Sequence, residues 1–355
     1  MRKIKFYSSI KEAISQSMLK DKKVVIMGLG VTDPKGIFGT TTGLEKFFGQ
    51  SRVIETPTSE NAITGIALGA AIKGLRPILI HQRVEFALLS MEQIVNQLSK
   101  WHFMSAGKQS VPIVIRMIIG KGWGQGPQHS QSLEVLFSHI PGLKVVAPSN
   151  AYDAKGLLTS CIKDNNPVIF FEHRWLHDIY GNVPKKNYEI KIGKAKIVKK
   201  GKDITIVSFS EALVQIMRVY NFLRNNKIFP EIIDLRTLRP IDKKTIINSV
   251  KKTGKLLVVD NSWTTYGISA EIISLVTEKI FKKIKIPPER IGIKNVLIPS
   301  TRELAKHCYL DSDIILNKII SMSGKKINNR NKKMFLKKLK ANISDVPYKD
   351  FKGPF

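Results

Sequence analysis

The chain has 355 residues, and its 58 basic side chains against 28 acidic ones give a net charge of +30. With 43% hydrophobic and 24% charged residues it is too apolar for wholesale disorder, and it is long enough for two domains with cores of their own. Two cysteines, Cys161 and Cys308, exclude a disulfide framework and fit a reducing compartment.

Residues 10–19 place Ile10, Ala13, Ile14 and Met18 at helical spacing, with Ser8 or Ser9 as N-cap. The run Lys23–Gly28 reads as a buried strand entering a loop over 28–39, and 52–55 as another short strand. Residues 59–74 predict a helix rich in Ala and Gly, followed by strand 77–80, helix 91–104, strand 112–119 and a glycine-rich loop over 120–131. The alternation continues to Phe171, which implies βαβ units and a parallel sheet covered on both faces. Residues 181–200 are polar and broken by Gly181, Pro184 and Gly193, as a linker would be. A second alternating block then runs from strand 204–208 to a final helix near 310–322. The expectation is α/β, two doubly wound domains in series: 1–180, a linker over 181–200, 201–320, and a basic tail over 321–355.

No apolar run reaches the roughly 18–20 residues of a bilayer span. The first residues, MRKIKFYSSIKEAISQSML, lack the apolar stretch of a secretory signal. A cytoplasmic protein with no membrane partner is expected. The charge would suit a nucleic-acid binder if it were concentrated, but lysines occur in nearly every segment. The dense block, Lys325 to Lys340, holds eight Lys/Arg and no acid and reads as a solvated tail.

Two stretches carry chemistry. In Glu55-Thr-Pro-Thr-Ser-Glu60, Pro57 and Ser59 mark a helix start and put Glu60 in or beside the first turn, near unpaired N–H groups and the positive dipole end. An acid there is commonly a helix-capping group. The small residues Gly65, Gly69, Ala70 and Ala71 that follow would let this helix pack closely on a partner and enclose the carboxylate. The second stretch is Gly120-Lys-Gly-Trp-Gly-Gln-Gly-Pro-Gln-His129, in which five of the eight residues from Gly120 to Pro127 are Gly or Pro. Such a loop is a lid or a backbone shaped around a ligand, and His129 could act as acid or base or merely cap the next helix. It matches neither GxxxxGK[ST] nor GxGxxG. His173 and His177 have HxxxH spacing without the Glu of HExxH, which reads as a surface or linker pair rather than a metal site.

The runs TPTSENAITGIALGAAIKGLRP, SMEQIVNQLSKWHFMSAG, GQGPQHSQS and PGLKVVAPSNAYDAKGLLTSCIKDNNPVIFFEHRWL, with ITIVSFSEAL, EIIDLRTLRPIDKKTI and SVKKTGKLLVVDNSW later, resemble the β subunit of the 2-oxo acid dehydrogenase E1 component over roughly residues 6–315. Pyruvate and branched-chain dehydrogenases share this subunit. The resemblance implies a thiamine diphosphate-binding pyrimidine domain followed by a transketolase C-terminal-like domain, in an α2β2 heterotetramer whose cofactor lies between α and β subunits. It implies oxidative decarboxylation of a 2-oxo acid, pyruvate by default, with acyl transfer to lipoamide of an E2 partner.

By the same resemblance Glu60 is the acid that bonds N1′ of the aminopyrimidine, Phe86 stacks on that ring, and His129 manages protons on the substrate adduct. Some members bind K⁺, at positions that map to Ile113, Val114, Cys161, Asp164 and Asn166; the same stretch also reads as a plain helix-to-strand turn. Thiamine enzymes hold the diphosphate through Mg²⁺ on a GDG…NN motif, and the GDG is absent here, which assigns that half of the cofactor to an α subunit. Where many members carry Gly-Glu-Asp and EFMTF, this chain has Gly28-Leu29-Gly30 and His81-Gln-Arg-Val-Glu-Phe86. The alternatives are a thiamine-dependent decarboxylase or carboligase subunit without a lipoyl partner, and a basic polyanion-binding protein.

Overall fold

A computed structural model describes residues 1–121 and 124–342. Gly122 and Trp123 of the glycine-rich loop, and the end of the expected tail from 343 on, lie outside the described residues. Among the described residues the strands are β1 (Arg2–Lys5), β2 (Val24–Gly28), β3 (Val53–Glu55), β4 (Arg76–His81), β5 (Val114–Ile119), β6 (Lys144–Val146), β7 (Val168–His173), β8 (Tyr180–Val183), β9 (Lys196–Lys199), β10 (Ile204–Ser208), β11 (Pro230–Asp234), β12 (Thr237–Arg239), β13 (Leu256–Trp263) and β14 (Glu289–Ile293). They fall into two units, the first comprising Met1–Gly120, Gln131–Gly193 and Thr237–Pro240, and the second comprising Lys121–Ser130, Lys194–Arg236 and the described residues from Ile241 on.

In the first unit seven strands run in the order β12-β6-β7-β5-β4-β2-β3. All neighbours are parallel except β12, which pairs antiparallel with β6. Strands β2, β5 and β7 are buried along their whole length, because helices cover both faces and leave no polar side to alternate with. The helices Phe6–Lys20 and Ala151–Lys163 pack on one another, the latter capped by Asn150, whose side chain accepts the N–H of Asp153. The chain winds from β2 outward to β3, then returns past β2 to β4 and continues to β5. The carboxyl ends of β2 and β4 therefore flank a topological switch point, the place where open α/β sheets offer a crevice.

The second unit holds a five-stranded sheet in the order β14-β13-β10-β11-β9, parallel but for β9. Its core packs Ile206, Ile232, Leu257 and Val259 of the sheet against Ile216 and Val219 of helix Ser210–Asn225 and Ile315 and Ile319 of helix Ser312–Ser323.

The structure differs from expectation in three places. The polar stretch read as a linker contains β8, paired with β1, and β9, paired with β11; short edge strands are polar because only one side of each is covered. The stretch read as a solvated tail carries helix Asn329–Asn342, whose Phe335, Leu336 and Leu339 pack against the second unit's core. The single helix expected over 91–104 is a π-helical segment, Gln93–Leu98, followed by a separate turn, Trp101–Met104.

Candidate functional site

Glu60 is the first residue of helix Glu60–Ile72. Ile63, Thr64, Ala67, Leu68 and Ala71 turn its inner stripe to the sheet, which fixes the rotation of the first turn. Ser59 occupies the cap position without a side-chain cap bond, so the first N–H groups are left to other partners. Of the small residues, Ala71 is buried within the unit, whereas Gly69 faces open space.

A cleft of about 120 Å³ opens at the carboxyl ends of β2 and β4 and is lined by Glu60, Phe86, His81, Gln82, Leu29 and Thr56, with Ile63, Leu79 and Ile80 among its apolar walls. The structure thus brings Glu60 and Phe86 to one cavity, set at the switch point of the sheet. The volume is below the roughly 300–1,000 Å³ of a complete small-molecule site. An acid at a helix start, apolar walls and an aromatic ring suit one flat, polar-edged ring.

The mouth of the cleft is fixed from below. Glu55, the last residue of β3, accepts the N–H groups of Gly30 and Thr32 and the hydroxyl of Thr32. Burial alone would raise the Glu55 carboxyl pKa, but these donors hold it below the usual carboxylate range. With the loop so tied, the carbonyl of Leu29 accepts Nε2 of Gln82 at 3.0 Å.

His81 ends β4 and is buried, which pushes its imidazole down to about 4 and leaves it neutral at physiological pH. Thr64 Oγ1 gives its proton to the carbonyl of Glu60 at 2.7 Å and lies 3.4 Å from His81 Nε2. With that proton spent, Oγ1 faces the ring as an acceptor, which assigns the imidazole proton to Nε2. Phe86 lies on the short helix Val84–Ala87. Beside it, Glu85 Oε1 accepts the N–H of Gln131 at 3.0 Å, and burial pushes the Glu85 carboxyl up. His81 and Gln82 line the cleft but are not among the residues that the sequence points to; the departure of His81–Phe86 from the family pattern was the available signal.

His129 is half-buried on Lys121–Ser130, a segment that clusters with the second unit, whereas Glu60 and Phe86 belong to the first.

The candidate cation positions gather around the end of helix Ala151–Lys163. Asp164 places Oδ2 2.5 Å from Lys144 Nζ, and its Oδ1 accepts the N–H and Nδ2 of Asn166, both at 2.9 Å. Burial would raise this carboxyl, yet the bonds from Lys144 and Asn166 hold it low. The Ile113 carbonyl accepts Val168 N, the Cys161 carbonyl accepts Asp164 N, and Val114 lies within β5. The side-chain oxygen of Asp164 is thus neutralised by the protein itself, and a cation here would rely on main-chain carbonyls. Burial raises the Cys161 thiol pKa, so that sulfur stays protonated and is no ligand.

The HxxxH pair is neither a helix face nor a surface feature. His173 and His177 are both buried; His173 Nδ1 accepts the N–H of Trp175, and His177 Nε2 lies 3.2 Å from Glu172. No cluster of three or more His, Cys, Asp or Glu side chains fit to hold a metal occurs among the described residues.

Comparison with known proteins matches two family models in tandem: the transketolase pyrimidine-binding domain over residues 2–178 and the transketolase C-terminal domain over residues 193–315. The chain is 41% identical over 308 residues to the pyruvate dehydrogenase E1 component subunit beta of Rickettsia felis, covering 86% of this chain and 94% of that one. It is 42% identical to the protein of the same name from Acholeplasma laidlawii, over 84% and 92% of the two chains. The mitochondrial form from Dictyostelium discoideum is 39% identical over 91% of each. Among solved structures, a split-gene transketolase, an inactive β4 tetramer, superposes with a TM-score of 0.74 at 17% identity, over 90% of this chain and 97% of that one, which establishes the shared fold.

Proposed function

Because the chain belongs to the family of pyruvate dehydrogenase E1 component β subunits, we propose that it is the β subunit of a thiamine diphosphate-dependent 2-oxo acid dehydrogenase, with pyruvate as substrate, active only with an α subunit in an α2β2 assembly. The observation that carries this reading is the meeting of Glu60 and Phe86 in one cleft with apolar walls at the switch point of the first sheet. Bound thiamine diphosphate supplies the carbanion chemistry that decarboxylation of a 2-oxo acid requires.

In this reading Glu60 shares a proton with the N1′ atom of the aminopyrimidine. Thr64, bonded to the Glu60 carbonyl, holds the first helical turn in place. Phe86 sets the plane of the ring by stacking. Ile63, Leu79 and Ile80 exclude water along its edge. The neutral His81 adds no competing cation to the cleft. His129 handles protons on the substrate side. The diphosphate and its Mg²⁺ belong to the α subunit, and K⁺ is assigned to main-chain carbonyls of the Cys161–Asn166 turn. Acyl transfer to the lipoyl domain of an E2 component is the second half-reaction.

No helix among the described residues is long and apolar enough to cross a membrane. A cytoplasmic location is part of the proposal.

The test is Glu60→Gln in a reconstituted α/β complex. Exchange of the cofactor's C2 proton should fall by about 10²–10⁴-fold, the usual worth of a positioned acid/base, with assembly intact. Exchange at the parental rate would refute the role. Failure to reduce an added lipoyl domain while decarboxylation proceeds would favour a subunit without an E2 partner.

A further inference from the structure

Leu29, in the loop after β2, and Gln82, after β4, meet at one wall of the cleft. Glu55 ties the loop through Gly30 and Thr32, which leaves the Leu29 carbonyl fixed. Gln82 donates Nε2 to that carbonyl at 3.0 Å. A carbonyl can only accept, so the amide must turn its NH₂ end to Leu29, and the orientation of the carboxamide is determined by chemistry rather than by choice of flip. The other end, Oε1, is an uncharged acceptor on a side chain that lines the cleft together with Glu60 and Phe86.

The backbone makes room for this arrangement. Gly30 has φ +77°, and a Cβ there would come within 2.7 Å of Gln82 Nε2. A side chain at position 30 would therefore be strained in its own conformation and would displace the amide. Glycine at this position keeps Gln82 on Leu29.

We propose that Gln82 is a positioning residue for the ring held by Glu60, with Oε1 accepting the hydrogen bond of the ring's exocyclic 4′-amino group. This rests on the reading of the cleft as the aminopyrimidine half-site. The ring then meets an acid at one edge and a neutral acceptor at another. The carboxamide is suited to the second task because it accepts without charge, so that Glu60 is the one carboxylate among the described residues that line the cleft.

The experiment uses the reconstituted α/β complex and two probes: thiamine diphosphate, and its analogue carrying oxygen in place of the 4′-amino group. Affinity is read from the near-ultraviolet circular dichroism of the bound ring. The parental complex should prefer the amino form. Gln82→Met should weaken thiamine diphosphate by about fivefold, the worth of one neutral hydrogen bond, and leave the oxygen analogue unchanged or improved. Gly30→Ala, which crowds Nε2, should shift the preference in the same direction. Equal weakening of both probes, or no change in either, would overturn the role of Gln82 while leaving the half-site reading intact. Absence of thiamine diphosphate binding by the parental complex would overturn both. Thermal unfolding of the variant β subunits, compared with the parent, separates loss of the amide from loss of the fold.

Discussion

Arg116 on β5 and Glu172 on β7 form a two-point ion pair with both side chains fully buried, Nε to Oε1 at 2.5 Å and Nη2 to Oε2 at 3.0 Å. His177 adds a contact to Oε2 at 3.2 Å and stacks on Phe6. Burial would raise the Glu172 carboxyl, but the Arg116 charge and the bonds from His177 and Arg116 bring it down to about 2. Glu172→Gln should leave the Arg116 charge without a counter-ion in the core and cost about 3–5 kcal/mol, read by urea unfolding at pH 7. A depressed carboxylate stabilises the folded state above the unfolded pKa near 4.5 and loses that contribution as pH falls towards 2. The parent should therefore lose stability across that acid window, and the variant should show a flatter profile there. Replacing both partners by methionine should recover part of the loss at pH 7.

His81 gives a second pH signature at higher values. Its imidazole is buried neutral with a pKa of about 4, below its unfolded value near 6.5. The folded state must therefore take up this proton at a lower pH than the unfolded chain does. Stability should be full above about pH 6.5 and decline as pH falls from there towards 4. His81→Phe should make that slope shallower, the remainder belonging to His177, whose burial also pushes its imidazole down, while the loss below pH 4.5 remains. Unfolding free energies at pH 7, 6, 5 and 4 compare the two chains; parallel curves would contradict the assignment.

Lys144 is the fixed cation of the Asp164 turn, and Arg76 reinforces it by donating Nη1 to the carbonyls of Ile162 and Asp164 and Nη2 to Asn165 Oδ1. Lys144→Met should cost about 1 kcal/mol, the modest value expected of a pair that solvent reaches on the lysine side. K⁺ on the carbonyls of the turn would raise the midpoint of thermal unfolding when potassium chloride replaces choline chloride at equal ionic strength. An unchanged midpoint would remove K⁺ from the proposed cofactors.

The two sheets were legible because strands buried on both faces read as short apolar runs, as in β5 and β7, and because helix Glu60–Ile72 announces itself through Pro57, Ser59 and a small-residue pattern. Strand β12 was not legible. Its three residues follow β11 in sequence yet belong to the first unit and pair there with β6, and nothing local to Thr237–Arg239 encodes a partner about ninety residues away. Glu60 stood out locally as an acid at a helix start and gained its role from the resemblance, Phe86 came from the resemblance alone, and sheet topology supplies the physical reason they share a cleft. Gln82 was legible only as a departure from the family pattern, since its meaning depends on which carbonyl its amide meets. The HxxxH pair misled because spacing says nothing about burial, and His177 is committed to Glu172 inside the core.

The helix Asn329–Asn342 bears on what the basic charge does. Phe335 stacks on Phe222 with ring centroids 4.4 Å apart, and Leu336 and Leu339 join the same core, while Lys340 reaches Asp313 and Lys332 reaches Asn317. Lys332 and Lys340 therefore flank the apolar stripe that docks the helix, whereas Lys333 and Lys337 lie exposed. Removing the stripe should loosen the helix without touching the charge. Phe335→Ala should cost about 1–2 kcal/mol, less than a fully buried phenylalanine because the ring is only partly covered, and should raise amide exchange along the helix. Charge reversal at Lys333 and Lys337 should leave stability within about 0.5 kcal/mol of the parent, as substitutions at exposed positions do. If the reversal destabilised the chain more than Phe335→Ala, the helix would be held by its charges, and the apolar account of its docking would be wrong.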